Sequence, residues 1–443
     1  MQEIGLFERG DAALTDLAYE IRGDKPLDDR IVFVDVDDIT LREFGWPLER
    51  NLYASFLLAA FQANAKVVGF DFLFLDEMGT PGEAMMAKVA ESYGRVVFPS
   101  DYVTRSPDGL GPYVVERVQS PADRLADASA GVAHITVDTS LDASVRMVPL
   151  SLPAEGRPLT LALEMLKTAH GKDFRYATED GEASIVWEVS RGPLSLKVDE
   201  KELAQVYFKN AEPKSQVVAM NTVLNALGGE NEFDALNFLK DKYVFVGTTA
   251  AGLGDRGSLP IADDAALVLV HMTVLDNILN RCFVEQAPFW LDVMIIVGMS
   301  LLMVGLSLIR RVLISALLGM FGMASLFVGG YFSFVEAQVQ LAVFGALAIS
   351  LGAALLGSLY RRFLVEKDEK LVRHVFGRFV SHDILDQLLD DTKVMHLQGR
   401  RRELSILFSD IAGYTKLSNS VSETELVAIL RKYLDPMSQS ILR

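Results

Sequence analysis

The chain has 443 residues, half of them hydrophobic, and its mean hydropathy of +0.24 is high for a protein that lies wholly in water. Asp and Glu outnumber Lys and Arg by 59 to 42, which gives a formal charge of −17, and the acidic excess lies before residue 289. A negative field of this size repels phosphate backbones, so the composition argues against nucleic-acid binding.

Apolar runs alternate with helical patterns through the first hundred residues. The runs rich in Val, Ile and Phe are RIVFVDV (30–36), KVVGFDFLF (66–74) and RVVFP (95–99), and helical patterns lie between them at 51–64 and 82–92. This rhythm is typical of a parallel sheet covered by helices. Four later runs, GVAHITV, VRMVPLSL, QVYFKN and KYVFVGT, predict that the same sheet continues with further strands, some of them antiparallel. We therefore expect residues 1–287 to form an α/β domain with a mostly parallel sheet flanked by helices.

Acidic side chains stand where the predicted strands end. Asp35, Asp37 and Asp38 leave the first strand, Asp71 lies late in the second, and Gly247–Thr249 follows a late strand. Open α/β sheets bind ligands beyond the carboxyl ends of their strands, so these groups could line one crevice. The alternative is that some of these aspartates cap helices or turns, as Asp often does.

Three stretches of this region are similar to a known sensory module. They are DDRIVFVDVDDITLREFGWPLERNLYASFLLAAFQANAKVVGFDFLF, AGVAHITVDTSLDASVRMVPL and KYVFVGTTAAGLGDRGSLP, and the first contains the most specific feature, Gly45-Trp46-Pro47 followed by Arg50. Together they resemble the type-two CHASE (CHASE2) domain, an extracytoplasmic sensor of bacterial receptors, over most of residues 20–285. The resemblance implies an unidentified signal, membrane helices and a cytoplasmic effector. It also implies one more membrane helix or export signal, which we expect upstream of Met1.

Three runs with almost no charge follow, at residues 289–309, 312–335 and 341–359. Each is long enough to cross a hydrocarbon core of about 30 Å as a helix. Residues 288–360 are therefore predicted to be a three-helix transmembrane segment whose partner is the lipid bilayer.

Arginine pairs predict the orientation of these helices. Arg310 and Arg311 end the first run, and Arg361 and Arg362 end the third. The positive-inside rule puts both pairs on the cytoplasmic face. We expect a multi-pass protein of the cell (inner) membrane with residues 1–287 extracytoplasmic and residues beyond Arg361 cytoplasmic. Cys282 is the only cysteine, so no disulfide can form within one chain.

Residues 361–402 have a helical pattern whose apolar positions fall mostly on one face. This pattern favours a helical linker that transmits the signal, and a short coiled coil of this kind would make the protein a homodimer. The stretch SHDIL is similar to the phosphoacceptor helix of histidine kinases, but the Arg and Pro of that motif do not follow His382. We interpret His382 as an exposed helical residue.

The stretch LSILFSDIAGYTKL (404–417) has a carboxylate at the end of an apolar strand. Asp410 emerges there, and Gly413, Tyr414 and Thr415 follow before a helix predicted from about Glu423. A carboxylate in this place is a good ligand for a hard cation, and a Gly-containing turn can expose N–H groups to phosphate oxygens. The alternative is a structural aspartate after an ordinary strand.

Residues 375–415, with VFGRFVSHDILDQLL, QGRRREL and FSDIAGYT, resemble the beginning of class III adenylate and guanylate cyclases. The resemblance implies that residues 403–443 are the first part of an α+β cyclase domain that forms cyclic nucleotide and pyrophosphate. By resemblance Asp410 and the carbonyl of Ile411 would hold two Mg²⁺ or Mn²⁺ ions. Gly413, Tyr414 and Thr415 would hold the triphosphate of the nucleotide. We expect ATP rather than GTP as that nucleotide, although the residues that select the base in this family are not among those matched. Since the second metal aspartate of the family is missing, we expect this chain alone to be inactive.

Three functions remain open from the sequence. The first is a membrane receptor cyclase, and the second is a sensory receptor without enzymatic output that acts through dimerisation and partner proteins. The third is a binding protein of a transporter, which ranks last because the spans carry no charged residue in mid-membrane that could mark a substrate path.

Overall fold

The computed structural model describes residues 4–105, 114–137, 143–179, 182–187, 194–198, 202–210, 212–227, 236–250, 252–253, 255–309, 311–365, 408 and 410–441. Two compact units divide the chain, residues 1–365 and residues 366–443, and each is described by itself. Most of the predicted linker at 361–402 and all but the last residue of the predicted strand at 404–408 lie outside the described residues.

The strands, in chain order, are β1 (Ile31–Asp35), β2 (Val67–Phe70), β3 (Val96–Arg105), β4 (Val114–Gln119), β5 (Gly131–His134), β6 (Met147–Pro149), β7 (Arg175–Glu179), β8 (Glu182–Trp187), β9 (Leu194–Val198), β10 (Leu203–Gln205), β11 (Val217–Ala219), β12 (Tyr243–Gly247), β13 (Arg256–Leu259), β14 (Ala262–Ala266), β15 (Glu285–Gln286) and β16 (Val339–Gln340).

The α-helices are α1 (Ile4–Arg22), α2 (Asp38–Phe44), α3 (Arg50–Gln62), α4 (Pro81–Tyr93), α5 (Asp123–Ala128), α6 (Leu161–His170), α7 (Met220–Ala226), α8 (Val268–Asn280), α9 (Phe289–Ser307), α10 (Val312–Ala337), α11 (Val343–Tyr360), α12 (Tyr414–Ser420) and α13 (Glu423–Ile441). Their ends follow local chemistry. The Thr80 hydroxyl, for example, accepts a hydrogen bond from the Glu83 N–H to cap α4, and Gly94 ends that helix in the left-handed region.

A seven-stranded sheet forms the centre of the first unit. Its order is β11-β1-β12-β2-β3-β4, with β5 also paired to β3. Every pair is parallel except β3 with β4, which is antiparallel. The mostly parallel α/β sheet predicted from the sequence is therefore confirmed.

Helices cover both faces of this sheet, and its central strands are apolar on both sides. Ile31 and Phe33 of β1 pack into a core with α6 and α8, whereas Val32 and Val34 pack into a core with α3, α4 and α7. All five residues of β1 and of β12 are buried. This two-sided burial explains why these strands are continuous apolar runs in the sequence.

Two of the later runs were predicted to extend the sheet, and that prediction is wrong. VRMVPLSL contributes only β6 and QVYFKN only β10, and these two strands pair with each other in a separate antiparallel sheet. Both runs are short and pair locally, so an apolar pattern alone could not assign them to a sheet. The strands β13 and β14 form a hairpin, and β7, β8 and β9 form a small antiparallel sheet.

The three predicted spans are helices long and apolar enough to cross a membrane: Phe289–Ser307, Val312–Ala337 and Val343–Phe363. Short strand β15 precedes α9 and pairs with β16, which connects α10 to α11, so these connections lie together at the end nearest the α/β domain. At the opposite end the Arg361 guanidinium donates a hydrogen bond to the carbonyl of Ile309.

In the second unit, the described residues form α12 and α13. The helix predicted from about Glu423 begins at that residue, so its start is confirmed. Phe408 is 90% exposed and has no strand partner among the described residues.

Candidate functional site

The carboxyl ends of β1 and β12 hold a buried carboxylate. Asp35, the last residue of β1, is 7% exposed, and Thr249 lies two residues beyond the end of β12. The Thr249 N–H donates to Asp35 Oδ1 at 2.9 Å, and the Thr249 hydroxyl donates to Oδ2. Burial raises the pKa of Asp35, while the two bonds from Thr249 oppose the rise. Asp35 is thus fixed at the edge where open sheets bind ligands.

A crevice of about 500 Å³ is lined by Asp35 and Thr249. Its apolar lining comprises Phe33, Pro213, Val217, Ala265, Ala266 and Leu269. Two ion pairs complete the lining: Arg256 Nε lies 2.6 Å from Asp264 Oδ1, and Lys214 Nζ lies 3.3 Å from Glu212 Oε2. This volume, with apolar walls and a few polar groups, is typical of small-molecule sites.

Asp37 and Asp38 lie at the N-terminal end of helix α2. Asp37 Oδ1 accepts hydrogen bonds from the N–H and the hydroxyl of Thr40 at 2.8 and 2.7 Å, which makes Asp37 the N-cap. Asp38 lies exposed in the first turn, where a carboxylate interacts favourably with the positive end of the helix dipole. These contacts agree with the capping alternative, and a role of either residue in binding a signal stays a prediction.

Asp71 comes directly after β2 and faces α8. Its Oδ1 atom lies 3.5 Å from Nε2 of His271, which is 1% exposed. Burial and then the charge of Asp255 raise the pKa of Asp71 well above its usual range. Because β12 lies between β1 and β2, Asp35 and Asp71 are two strands apart. Of the four predicted aspartates, Asp35 is the one that lines the crevice.

Sequence reasoning missed a group of buried polar residues at the same edge of the sheet. His134 and Ser100 are register partners on β5 and β3, and both are at most 1% exposed. Burial lowers the pKa of His134 to about 3 and that of His271 to about 4. Both histidines stand in apolar runs of the sequence, GVAHITV and VLVHMTV. The apolar neighbours were the sequence feature from which burial of these histidines could have been predicted. Among the described residues, no three His, Cys, Asp or Glu side chains lie close enough to hold a metal ion.

The N-terminal end of α11 is capped by aspartates from two other helices. Its own N-cap residue, Ala342, makes no side-chain cap bond. Instead Asp292 of α9 accepts from the Ala342 N–H at 3.0 Å, and Asp11 of α1 accepts from the Phe344 N–H at 2.8 Å. The first turn of a helix has N–H groups without partners inside the helix, and its positive end attracts carboxylates. Helices α1 and α9 are therefore tied to the last membrane helix.

Aromatic side chains join this junction to the core of the α/β domain. The Tyr19 ring of α1 lies 5.0 Å from the ring of Phe334 on α10, and the Tyr207 ring lies 5.7 Å from it. The Tyr207 hydroxyl donates to the carbonyl of Val335, and Asn277 of α8 exchanges two hydrogen bonds with the Tyr207 backbone. Buried contacts thus connect α8, which lines the crevice, with the membrane helix α10.

Comparison with known proteins bears on the whole of this region. A family model described as the CHASE2 domain matches residues 1–308, which is more than half of the chain. The chain belongs to the CHASE2 domain family. No curated protein and no solved structure matches it.

The CHASE2 match contains the crevice, α1 and the first membrane helix. Membership suggests an extracytoplasmic sensing receptor, and the three apolar helices are consistent with a membrane protein. The match ends at residue 308, so the resemblance of residues 375–415 to class III cyclases stays a prediction.

The predicted metal and triphosphate residues lie in the second unit, outside the CHASE2 match. Asp410 is exposed, and its Oδ1 atom accepts a hydrogen bond from the N–H of Ile411 at 2.8 Å. Gly413 has a φ of 82°, in the left-handed region, and precedes α12, which begins with Tyr414 and Thr415, both exposed. One exposed carboxylate is too small a donor set for two Mg²⁺ or Mn²⁺ ions, so we derive no catalytic step from these residues.

Proposed function

We propose that the chain is a membrane receptor in which the CHASE2 domain binds an extracytoplasmic signal and changes the position of α11. The observation that carries this proposal is the capping of α11 by Asp11 and Asp292. Asp11 belongs to α1, whose Tyr19 is buried in the core of the domain. A shift of α1 on signal binding would therefore alter a hydrogen bond at the start of the last membrane helix.

The energy of such a contact fits a signalling role. A helix cap contributes about 0.5–2 kcal/mol, and coupling between two sites of one protein typically amounts to about 1–3 kcal/mol. The free energy lost or gained with the Asp11 cap is therefore large enough to shift the equilibrium between two positions of α11. The close approach of Gly10 to the Phe344 ring supports the tight seating of α1 on this helix, because a Cβ on Gly10 would lie 2.3 Å from ring atoms.

We propose the inner membrane and the orientation predicted from the arginines. Arg311, Arg361 and Arg362 belong to the helix ends opposite the α/β domain of residues 1–287, and the positive-inside rule favours the cytoplasm for such residues. In this arrangement residues 1–287 are extracytoplasmic and residues beyond Arg361 are cytoplasmic.

For the effector we propose a class III nucleotide cyclase that works as a homodimer, with Asp410 and Ile411 as metal ligands. The support is the motif FSDIAGYT within residues 375–415. Mg²⁺ or Mn²⁺ and ATP belong to this proposal as requirements of a complete catalytic domain. The alternative is a receptor without enzymatic output that regulates partner proteins by dimerising.

Removal of the cap from α1 tests the receptor proposal. Asp11→Ala should increase amide hydrogen exchange in the first turn of α11 about 2- to 30-fold, which corresponds to the loss of one cap. The measurement is hydrogen–deuterium exchange of the full chain in lipid nanodiscs, read by mass spectrometry on peptides that contain Phe344. Asp11→Asn should have a smaller effect, because the amide oxygen can still accept the hydrogen bond.

Glu8→Gln is the matched control, since Glu8 is exposed on the same helix and has no part in the cap. It should leave the exchange of α11 unchanged. Equal exchange in the Asp11→Ala variant and the wild type would show that α1 does not hold α11, and the proposed route of transmission would then be wrong.

A further inference from the structure

The crevice at the end of β1 has a charge arrangement that selects among ligands. Its rim charges pair with each other: Arg256 with Asp264 and Lys214 with Glu212. The remaining charged residue of the lining is Asp35, which is 7% exposed. The crevice is therefore an apolar cleft with one buried carboxylate and an excess of one negative charge.

Among the residues that the structure describes, no cation pairs with Asp35, since Arg256 and Lys214 of the lining pair with Asp264 and Glu212. The charged groups that act on its carboxyl are Asp37 and Asp38, both acidic, and its hydrogen bonds come from the neutral Thr249. A buried carboxylate is normally paired with a cation, because burial without one is costly. Each carboxylate oxygen accepts one bond from Thr249 and can accept another, so acceptor capacity remains at Asp35.

We propose that the crevice binds a small ligand with a primary ammonium group and an apolar body. The ammonium group donates hydrogen bonds to Asp35 and supplies the missing positive charge, while the apolar body packs against Phe33, Val217 and Leu269. Anions are disfavoured, because they would meet a buried carboxylate at the floor of the crevice. This inference rests on the proposed receptor function and names the chemical class of its signal.

Binding of three probes of similar size tests this charge selection. Isobutylamine, isobutanol and isobutyrate share an apolar body and differ in charge. Calorimetric titration of the nanodisc-embedded full chain should detect isobutylamine, with isobutanol and isobutyrate at least about tenfold weaker, since a charge-assisted hydrogen bond is among the strong ones. Two results would overturn the proposal. One is equal binding of all three probes, and the other is no detectable binding of isobutylamine at concentrations up to about 50 mM.

Three substitutions locate the site. Asp35→Asn should weaken isobutylamine binding at least about tenfold, because the amide keeps an acceptor for the Thr249 N–H but loses the charge. Ala265→Leu should also weaken binding by filling the crevice, without touching Asp35. Asp263→Asn is the matched control, because Asp263 lies on β14 as Ala265 does, is exposed and lines a different cavity.

The outcomes of these experiments distinguish failure of the proposed ligand class from failure of the proposed transmission through α1. If Asp263→Asn weakens binding as much as Asp35→Asn does, binding is a response to net charge and the assigned site is wrong. If Asp35→Asn fails to fold, unchanged isobutylamine binding by Ala265→Leu overturns the site instead. If isobutylamine binds at Asp35 but Asp11→Ala leaves α11 unchanged, the ligand class stands and the proposed transmission fails.

Discussion

Acidification should destabilise the CHASE2 domain, because two histidines are buried in their neutral form. His134 is completely buried and His271 is 1% exposed. Their pKa values in the folded protein are about 3 and about 4, against 6.5 for an ordinary histidine. Below pH 6.5 the unfolded chain therefore binds two protons that the folded domain does not bind, so stability is lost as the pH falls.

The size of the effect follows from these values. Between pH 7.5 and 5.0 each histidine costs the folded state about 2 kcal/mol, and the pair about 4 kcal/mol, at about 1.36 kcal/mol per pKa unit. Asp71, beside His271, acts in the opposite direction. Its raised pKa means that the folded state keeps a proton that the unfolded state loses above pH 3.8, so its contribution grows as the pH falls. Asp255 faces Asp71 and strengthens that contribution, so about 4 kcal/mol is an upper bound.

The measurement is urea unfolding of the detergent-solubilised chain at several pH values, followed by circular dichroism. His134→Asn and His271→Asn should each remove about half of the pH dependence, roughly 2 kcal/mol between pH 7.5 and 5.0, even if they lower stability at every pH. His170→Asn is the control, because His170 is partly exposed and should change the slope less. If both buried variants keep the wild-type dependence of the unfolding free energy on pH, the folded protein does not hold these histidines in the neutral form and the reasoning is refuted.

Two further predictions concern the membrane and the effector. In a Cys282→Ser background, an impermeant maleimide should label Ser92→Cys on intact spheroplasts but should label Ser420→Cys only after lysis. Both positions are exposed and they lie in different units of the chain. The reverse pattern of labelling would contradict the proposed orientation. Native Cys282 is a poor reporter because burial raises its pKa to about 11. A chain in which residues 403–443 are continued by the remainder of a class III catalytic domain should form cyclic nucleotide from ATP with Mg²⁺ or Mn²⁺, and Asp410→Asn should abolish nearly all of it. Normal turnover by a folded Asn variant would show that Asp410 is structural.

The parts of the fold predicted from the sequence are those whose pattern depends on local burial. β1 and β12 are apolar on both faces, and α3 begins and ends within two residues of the predicted helix at 51–64. β6 and β10 were misassigned because their partner is set by tertiary packing, which a run of three to eight apolar residues does not encode.

The candidate site was predicted only in part, for a related reason. Asp35 was predicted at the correct edge of the sheet because the carboxyl ends of parallel strands meet there. Its separation from Asp71 could not be predicted in this way, because it depends on β12 lying between β1 and β2. The caps of α11 come from Asp11 and Asp292, which are 333 and 50 residues away from their partners in the chain. Bonds over such distances have no local sequence signal.

The position of β12 also governs when the domain can fold. Strand β12 pairs with both β1 and β2, yet it follows them in the chain after more than 170 residues, so the centre of the sheet cannot close until residue 247 has been synthesised. Contacts of such long range fold slowly and leave apolar strands unprotected in the meantime. Strand β2 can pair early with β3, but among the described strands β1 pairs only with the late strands β11 and β12. If the domain is extracytoplasmic, β1 remains unpaired while it crosses the membrane, which keeps this part of the chain in the extended state that export requires. The same order of synthesis exposes β1 and one edge of β2 to aggregation until β12 arrives, so biogenesis of this receptor should depend strongly on holding chaperones.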